Sequence, residues 1–198
     1  TDGRSSIRMT FKPHQSLFVV FSAESSAQKE MSESGRASVD GLKVRMDFEP
    51  FYEKTIAPVE TDCLKSLTEF EDEDIRFFGG YVRYTIEFDV PAKFTEARAT
   101  AINLGSIGGV AEVRLNGKTV KYLWKDDDDI PVDNLLWKGN RLEVILGTTL
   151  RNRMAGDMEK YGRTVNIETP TSTNWLPQGE KDLKPSGLMG PVSVIMYK

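Results

Sequence analysis

Apolar and polar side chains alternate along most of this chain with a period of two residues, and this pattern constrains the fold more than any other feature. From residue 82 to residue 90, every second side chain is apolar or aromatic, and the residues between them are polar or charged. Because successive side chains of a strand point to opposite faces, the pattern predicts a strand with one face on a core and the other in water. The same rhythm recurs at residues 97–105, 111–124, 141–150 and 190–197.

Turn residues separate these stretches, and long helical periodicity is nearly absent. Asn116-Gly117 lies between two alternating runs and is a strong hairpin signal, because both residues tolerate positive φ. We therefore expect residues 113–115 and 119–123 to pair as antiparallel strands. The best helical candidate is Arg151 to Lys160. Many short strands with recurring turns predict an all-β fold with little helix, an antiparallel sandwich or barrel.

The composition argues against several classes of protein. The 198 residues carry 26 Lys and Arg against 30 Asp and Glu, a net charge of −4, whereas nucleic-acid binding goes with a basic surplus. No stretch approaches the roughly 18 apolar residues of a membrane span. The single cysteine, Cys63, cannot form an internal disulfide, and with the single histidine, His14, it cannot supply a usual zinc site. A hydrolase with a catalytic histidine would have to use His14, beside Pro13, which we consider unfavourable.

The chain is expected to have three parts. Residues 1–22 hold two strand-like runs and are interpreted as terminal strands of a preceding domain or as edge strands. Residues 23–41 are polar and rich in serine, which predicts a linker or a long exposed loop. Residues 42–198 form the sandwich domain. Because the chain begins at Thr1 without a methionine or an apolar leader, we expect a trimmed or mature fragment, with any targeting segment outside it.

The acidic run at residues 126–129, four consecutive aspartates, is a candidate cation site. Oxygen ligands around calcium would relieve the repulsion between these carboxylates, and Asp127 and Asp129 are the candidate ligands. The run lacks the spacing and the glycine of a typical calcium loop. The alternative is a solvated loop in which Asp129 accepts hydrogen bonds from nearby backbone donors. No other cofactor is expected.

Three tryptophans are candidates for contacts with sugar rings, since an indole offers a wide apolar face with one donor at its edge. Trp175 lies in a long polar loop, where recognition is plausible, and Trp124 lies at a strand end, where both roles stay open. Trp137 follows two leucines and is expected to fill the core instead.

A polar cluster follows the strand at residues 141–149. Arg151, Asn152, Arg153 and Asp157 place several donors and acceptors at the end of that strand. Guanidinium and carboxylate groups suit the hydroxyls of a polyol, so these residues are candidates for carbohydrate binding. The alternative is an internal Arg-Asp pair that pins the loop. No spacing singles out a pair of catalytic carboxylates, and no catalytic residue is predicted.

Several stretches, in this order along the chain, resemble one known family. These are DIRFFGGYVRYTIEFDVP (74–91), the INLG to AGD region (102–157) with its AEVRLNGK hairpin, and SGLMGPVSV (186–194). They resemble the sugar-binding jelly roll of large glycoside hydrolases: family 2 enzymes and, more closely, the carboxyl-terminal sandwich of α-L-rhamnosidase-like enzymes. The acidic run departs from that family, whose members carry LWxPPYxxDI at this place.

The resemblance covers about residues 42–198 and implies a galactose-binding-domain-like jelly roll of two facing antiparallel sheets. It further implies a non-catalytic accessory domain that binds or orients carbohydrate for a catalytic domain outside this chain, in a secreted, periplasmic or outer-cell-surface protein. One alternative is a structural domain that packs on the catalytic domain without touching sugar. Another is an independent sandwich hydrolase, which would need two carboxyl groups about 5–9.5 Å apart in a cleft.

Overall fold

The computed structural model divides the chain into two compact units, Thr1–Glu30 and Met31–Lys198. It describes residues 6, 7, 9, 11, 16, 18–21, 32–39, 41–92, 94, 99–124, 126, 129–165, 167 and 175–197. The strands expected within residues 1–22 fall largely outside this set and stay a prediction. All helices and strands given below belong to the second unit.

The second unit is an all-β sandwich with short helices, as the alternation predicts. The strands are β1 (Glu33–Ser38), β2 (Lys43–Pro50), β3 (Val59–Thr61), β4 (Gly80–Phe88), β5 (Ala99–Asn103), β6 (Ser106–Gly108), β7 (Val110–Leu115), β8 (Lys118–Leu123), β9 (Ile130–Val132), β10 (Asn140–Gly147), β11 (Gly187–Gly190) and β12 (Ser193–Tyr197). The helices are α1 (Glu73–Arg76) and α2 (Arg151–Tyr161), with 3₁₀ turns at Leu67–Glu69 and Glu180–Asp182.

The strands form three antiparallel sheets. One sheet has the order β3-β2-β4-β10-β7-β8, a second has the order β1-β12-β5-β9, and β11 pairs with β6 in a third. The inward side chains of the two larger sheets share one hydrophobic core. In β4, for example, Val82, Tyr84 and Ile86 are at most 1% exposed, whereas the side chains between them face outward. Burying such side chains contributes about 1.5–3 kcal/mol each, so alternate apolar positions are the main source of stability.

The predicted hairpin joins β7 to β8. Asn116 and Gly117 adopt φ values of 51° and 82°, the left-handed conformation that a tight hairpin turn requires. The Asn116 side chain also binds the backbone of a neighbouring turn, donating to the Asn134 carbonyl at 2.7 Å. The fully buried Asn140 completes this junction by accepting from the Leu136 amide and donating to the Leu136 carbonyl. The hairpin prediction is confirmed.

β1 lies within the serine-rich stretch for which a linker or loop is expected. Glu33–Ser38 pairs with β12 along the edge of the four-stranded sheet, so these six residues belong to the sandwich and not to a linker. The sequence gives little sign of this, because an exposed edge strand needs no apolar alternation. For residues 23–31 the linker or loop stays a prediction.

The predicted helix at Arg151–Lys160 is present as α2, which ends at Tyr161. Gly162 terminates it in the left-handed conformation, with φ at 67°. A Cβ added at Gly156 would lie 2.6 Å from the ring of Phe77, so a glycine is needed for α2 to pack this closely against the segment after α1. The helices in the described part of the chain are all too short or too polar to cross a membrane.

Candidate functional site

Several loops gather at one end of the six-stranded sheet. In register, Pro50 of β2 is opposite Gly80 of β4, and Gly147 of β10 is opposite Tyr81. The segment that follows β2 and the helix that follows β10 therefore emerge side by side. This arrangement brings Tyr52 next to α2, about a hundred residues further along the chain.

A groove of about 430 Å³ lies between these segments. We call it the α2 groove. It is lined by Tyr52, Glu53, Lys54, Glu73, Asp74, Phe77, Arg153, Gly156, Asp157, Glu159, Lys160, Tyr161 and Val165. Its walls thus combine aromatic rings with charged groups of both signs.

Arg153 and Asp157 are the predicted residues that the structure brings together in this groove. Nη2 of Arg153 is 2.7 Å from Oδ1 of Asp157, one helical turn away, and the carboxylate is 1% exposed. Oδ2 of Asp157 accepts a hydrogen bond from the Val165 amide at 2.9 Å, which ties the chain after α2 to the helix. The internal Arg-Asp pair considered from the sequence is therefore present, and it forms part of the groove wall.

Tyr52 is the functional candidate that sequence reasoning missed. The guanidinium carbon of Arg153 is 4.1 Å from the centre of the Tyr52 ring, a cation–π contact. The Tyr52 hydroxyl and Nε of Arg153 are both buried, and neither has a hydrogen-bond partner among the described residues. Burial raises the pKa of Tyr52, although the nearby Arg153 charge opposes this shift.

Arg151 and Asn152 use their polar atoms to hold a loop. The Asn152 amide donates to the Lys184 carbonyl at 2.8 Å and accepts from the Lys184 amide at 2.9 Å. Nε of Arg151 donates to the carbonyl of Asp182 at 3.3 Å. These bonds fasten residues 182–184 onto α2. A carbohydrate role for Arg151 and Asn152 stays a prediction.

The three tryptophans are separate from the groove lining and are all exposed. Trp175 is 80% exposed and Trp124 is 78% exposed, so either indole face could be reached by a ligand. Trp137 is 56% exposed, and the expectation that it fills the core is wrong. Both backbone polar groups of Leu136 bond to the Asn140 side chain, which holds this turn outside the sandwich.

Asp129, from the acidic run, is bonded to side chains of three strands. It accepts hydrogen bonds from Arg36 at 3.1 Å and 3.2 Å, from Asn103 at 2.7 Å and from the Tyr197 hydroxyl at 3.4 Å. Burial raises the pKa of Tyr197, and the Asp129 charge adds to this effect. Asp129 therefore has side-chain donors, and the expected backbone donors stay a prediction. Asp127 lies outside the described residues, and within them no group of three metal-binding side chains occurs.

A hollow of about 840 Å³ lies on the outer face of the six-stranded sheet and is lined mainly by charged residues. Several of its charges are paired, for example Arg45 with Asp47 at 2.8 Å. On the same face, hydrogen bonds from Arg114 and Thr119 lower the pKa of the Glu112 carboxyl. That direction is opposite to the one required of a general acid.

The chain is similar in sequence and in fold to proteins named as glycoside hydrolases. A curated protein of Formosa agariphila, named "Putative beta-glucuronidase", is 33% identical across 71% of this chain and 14% of its own length. The solved rhamnosidase from Novosphingobium sp. PP1Y is 27% identical, with a TM-score of 0.67 over 88% of this chain and 16% of that chain. No protein-family model matches the chain.

A β-glucuronidase from Ruminococcus gnavus, solved with D-glucuronic acid, shares the fold, with 20% identity and a TM-score of 0.52. It covers 87% of this chain, which spans 31% of the solved protein. This chain therefore is a domain related to glycoside hydrolases and spans only a small part of the relatives that it matches.

Proposed function

We propose that this chain is a non-catalytic accessory β-sandwich of a glycoside hydrolase and that its α2 groove binds carbohydrate for a catalytic domain elsewhere in the parent protein. The observation that carries the proposal is the stack of Tyr52 on Arg153, paired with Asp157, in a groove that one predicted cluster and one distant loop build together. The resemblance to sugar-binding jelly rolls supports the same function, as does the small share of each relative that the chain covers.

The groove suits a neutral polyol for two reasons. Sugar hydroxyls both donate and accept hydrogen bonds, and the groove offers Lys160 as a donor and Glu53 and Glu73 as acceptors. Lys54 is already paired with Asp74, and Oε2 of Glu159 accepts from the Glu180 amide. Tyr161, 52% exposed on the same wall, offers an apolar ring surface to the C–H face of a sugar. Because Arg153 is fixed by Asp157 and Tyr52, little side-chain ordering remains to be done on binding, which favours affinity.

A structural role is the second candidate. Arg151 and Asn152 use their polar atoms within the fold, and the Arg153–Asp157 pair does the same in part. A domain that only packs on the catalytic domain would have these internal contacts and would retain no polysaccharide. Under either role, we propose that the parent protein acts outside the cytoplasm, as a secreted, periplasmic or surface enzyme, and the resemblance supports this.

Affinity electrophoresis through gels that contain neutral polysaccharides tests the binding role. Tyr161→Ala removes an exposed ring from the groove, and Trp137→Ala is the matched control because it removes an exposed ring outside it. We expect Tyr161→Ala to weaken retention about five- to tenfold, the value of one lost aromatic contact, with an unchanged melting temperature. Equal retention of the two variants on every gel that retards the parent chain would favour the structural role.

A further inference from the structure

A second surface, distinct from the residues that line the α2 groove, crosses the outer face of the six-stranded sheet. We call it the aromatic row, and it consists of Phe51, Tyr81, Val110, Tyr122 and Trp124. Their exposed fractions are 52%, 45%, 58%, 63% and 78%. Four aromatic rings this exposed in one place are unusual on a protein surface and mark a contact site.

The strand register places these residues side by side. Tyr81 is opposite Gly147, and Gly147 is in turn opposite Val110 on the next strand. Tyr122 is opposite Glu112, and Trp124 directly follows β8. With neighbouring strands about 4.8 Å apart, the row from β4 to β8 is about 14 Å long. Phe51 extends it, since its ring centre is 5.1 Å from that of Tyr81, edge to face.

Gly147 has no side chain, so the surface of the sheet is low at this point of the row. A Cβ added there would lie 3.1 Å from Cε1 and 3.4 Å from Cδ1 of Tyr81, so the tyrosine ring lies over the glycine backbone. A larger residue at this position would push the ring upward and interrupt the row. The surface is therefore shallow, which suits an extended ligand with flat faces.

Charged residues of alternating sign flank the row, one step along the strands. Asp47 is opposite Arg83, Arg83 is opposite Ile145, and Ile145 is opposite Glu112. A uniformly charged partner would meet repulsion from one sign or the other on this flank. Uncharged hydroxyl groups, which donate and accept, would find both kinds of partner.

We propose that the aromatic row is a second carbohydrate surface, which binds an extended neutral polysaccharide chain through the apolar faces of its sugar rings. The row is mainly aromatic, with Val110 as its one aliphatic member, and exposed flat rings offer apolar faces to the C–H faces of sugars. A hollow of about 500 Å³ lined by Pro50, Phe51, Tyr52 and Glu53 shares Phe51 with the row and shares Tyr52 and Glu53 with the α2 groove. The inference extends the proposed function without depending on the groove.

The test uses the full chain in affinity electrophoresis with xylan, mannan, galactan and β-glucan gels. The variant is the double substitution Tyr122→Ala with Trp124→Ala, and the controls are Trp137→Ala outside both sites and Tyr161→Ala in the groove. We expect the double variant to lose at least about tenfold in retention, because two ring contacts are removed, and to melt at the parent temperature. Trp137→Ala should migrate as the parent chain does.

Each other outcome decides between the two sites. Loss of retention in Tyr161→Ala with full retention in the double variant would overturn the row and leave the groove standing. The reverse pattern would support the row and remove the groove. A parent chain that no gel retards would overturn the row. So would a parent dimer, seen by sedimentation, that the double variant dissociates, because the row would then be a protein contact.

Discussion

The α2 groove and the Asp129 cluster both come from charged stretches that the sequence singles out, yet the fold uses them differently. Asp129 has partners on β1, β5 and β12, so its carboxylate joins three strands of one sheet. Asp157 binds within its own helix and to the chain just after it. The first cluster therefore fastens strands together, whereas the second fixes the shape of a groove wall.

The difference shows that charge density does not identify a ligand site. Four consecutive aspartates look more like a binding site than a single Arg-Asp pair does, but Asp129 is opposed by a guanidinium, an amide and a phenol. The Arg153 side chain, in contrast, has one nitrogen paired with Asp157 and one face stacked on Tyr52, in the wall of an open groove. What matters is where the fold places a charged group and which partners it gives to that group.

The largest expected effect is on stability, from removal of the buried carboxylate in the groove. Asp157→Ala leaves Arg153 without its partner and frees the Val165 amide, so we expect the free energy of unfolding to fall by about 3 kcal/mol. Asp157→Asn, which can still accept from that amide, should lose less. Urea unfolding of the two variants measures this, and a loss under about 0.5 kcal/mol for Asp157→Ala would contradict the buried pair.

Asp129→Ala sharpens the comparison because it removes the other carboxylate. Its side chain is 28% exposed and its Arg36 partner is 37% exposed, so solvent screens the ion pair. We expect the free energy of unfolding to fall by about 1.5 kcal/mol, half the loss at Asp157. If Asp129→Ala proves the more damaging substitution in the same urea experiment, the roles assigned to the two clusters are reversed.

The Glu112–Arg114 pair on the outer sheet face gives a third comparison, through the pH dependence of stability. Because Arg114 and Thr119 lower the pKa of Glu112 in the folded chain, Glu112 stabilises the fold above the ordinary pKa of a free glutamate. That contribution is lost as the pH falls through the folded-state pKa. Arg114→Gln should raise the pKa of Glu112 toward its ordinary value, as measured by NMR titration. An unchanged pKa would show that Thr119 alone sustains the shift.

The smallest expected effect concerns calcium. Both oxygens of Asp129 already accept hydrogen bonds from protein side chains, so we expect neither calcium in excess nor a chelator to change the melting temperature. Differential scanning calorimetry of the untreated, calcium-loaded and chelator-treated chain checks this. A rise in the melting temperature with calcium would support Asp127 and Asp129 as calcium ligands. The Asp129 cluster would then be a ligand site, as the groove is proposed to be.

The sequence predicts the local elements well because local patterns determine them. Alternation places β4, β7, β8, β10 and β12, and two residues with positive φ place the hairpin. The sequence pattern does not predict the exposed edge strand β1, since that strand has no alternating apolar face. Trp137 is misjudged for a similar reason: its leucine neighbours suggest burial, but the backbone bonds to Asn140 hold its turn outside the core.

The candidate site is only half predictable. Arg153 and Asp157 lie four residues apart, which a helix brings together, and both were singled out from the sequence. Tyr52 reaches them only because β2, β4 and β10 pair in a particular register, and no local pattern encodes that register. The same holds for the aromatic row, whose members come from four separate segments.

The position of β12 has a consequence for how the chain is made. All strands of the six-stranded sheet end by Gly147, whereas the centre of the four-stranded sheet is β12, at residues 193–197, between β1 and β5. During synthesis the six-stranded sheet can therefore assemble while the ribosome is still translating. Its apolar face stays uncovered until the four-stranded sheet forms. Until β12 emerges from the exit tunnel, no strand links β1 to the β5–β9 pair, so the four-stranded sheet closes last.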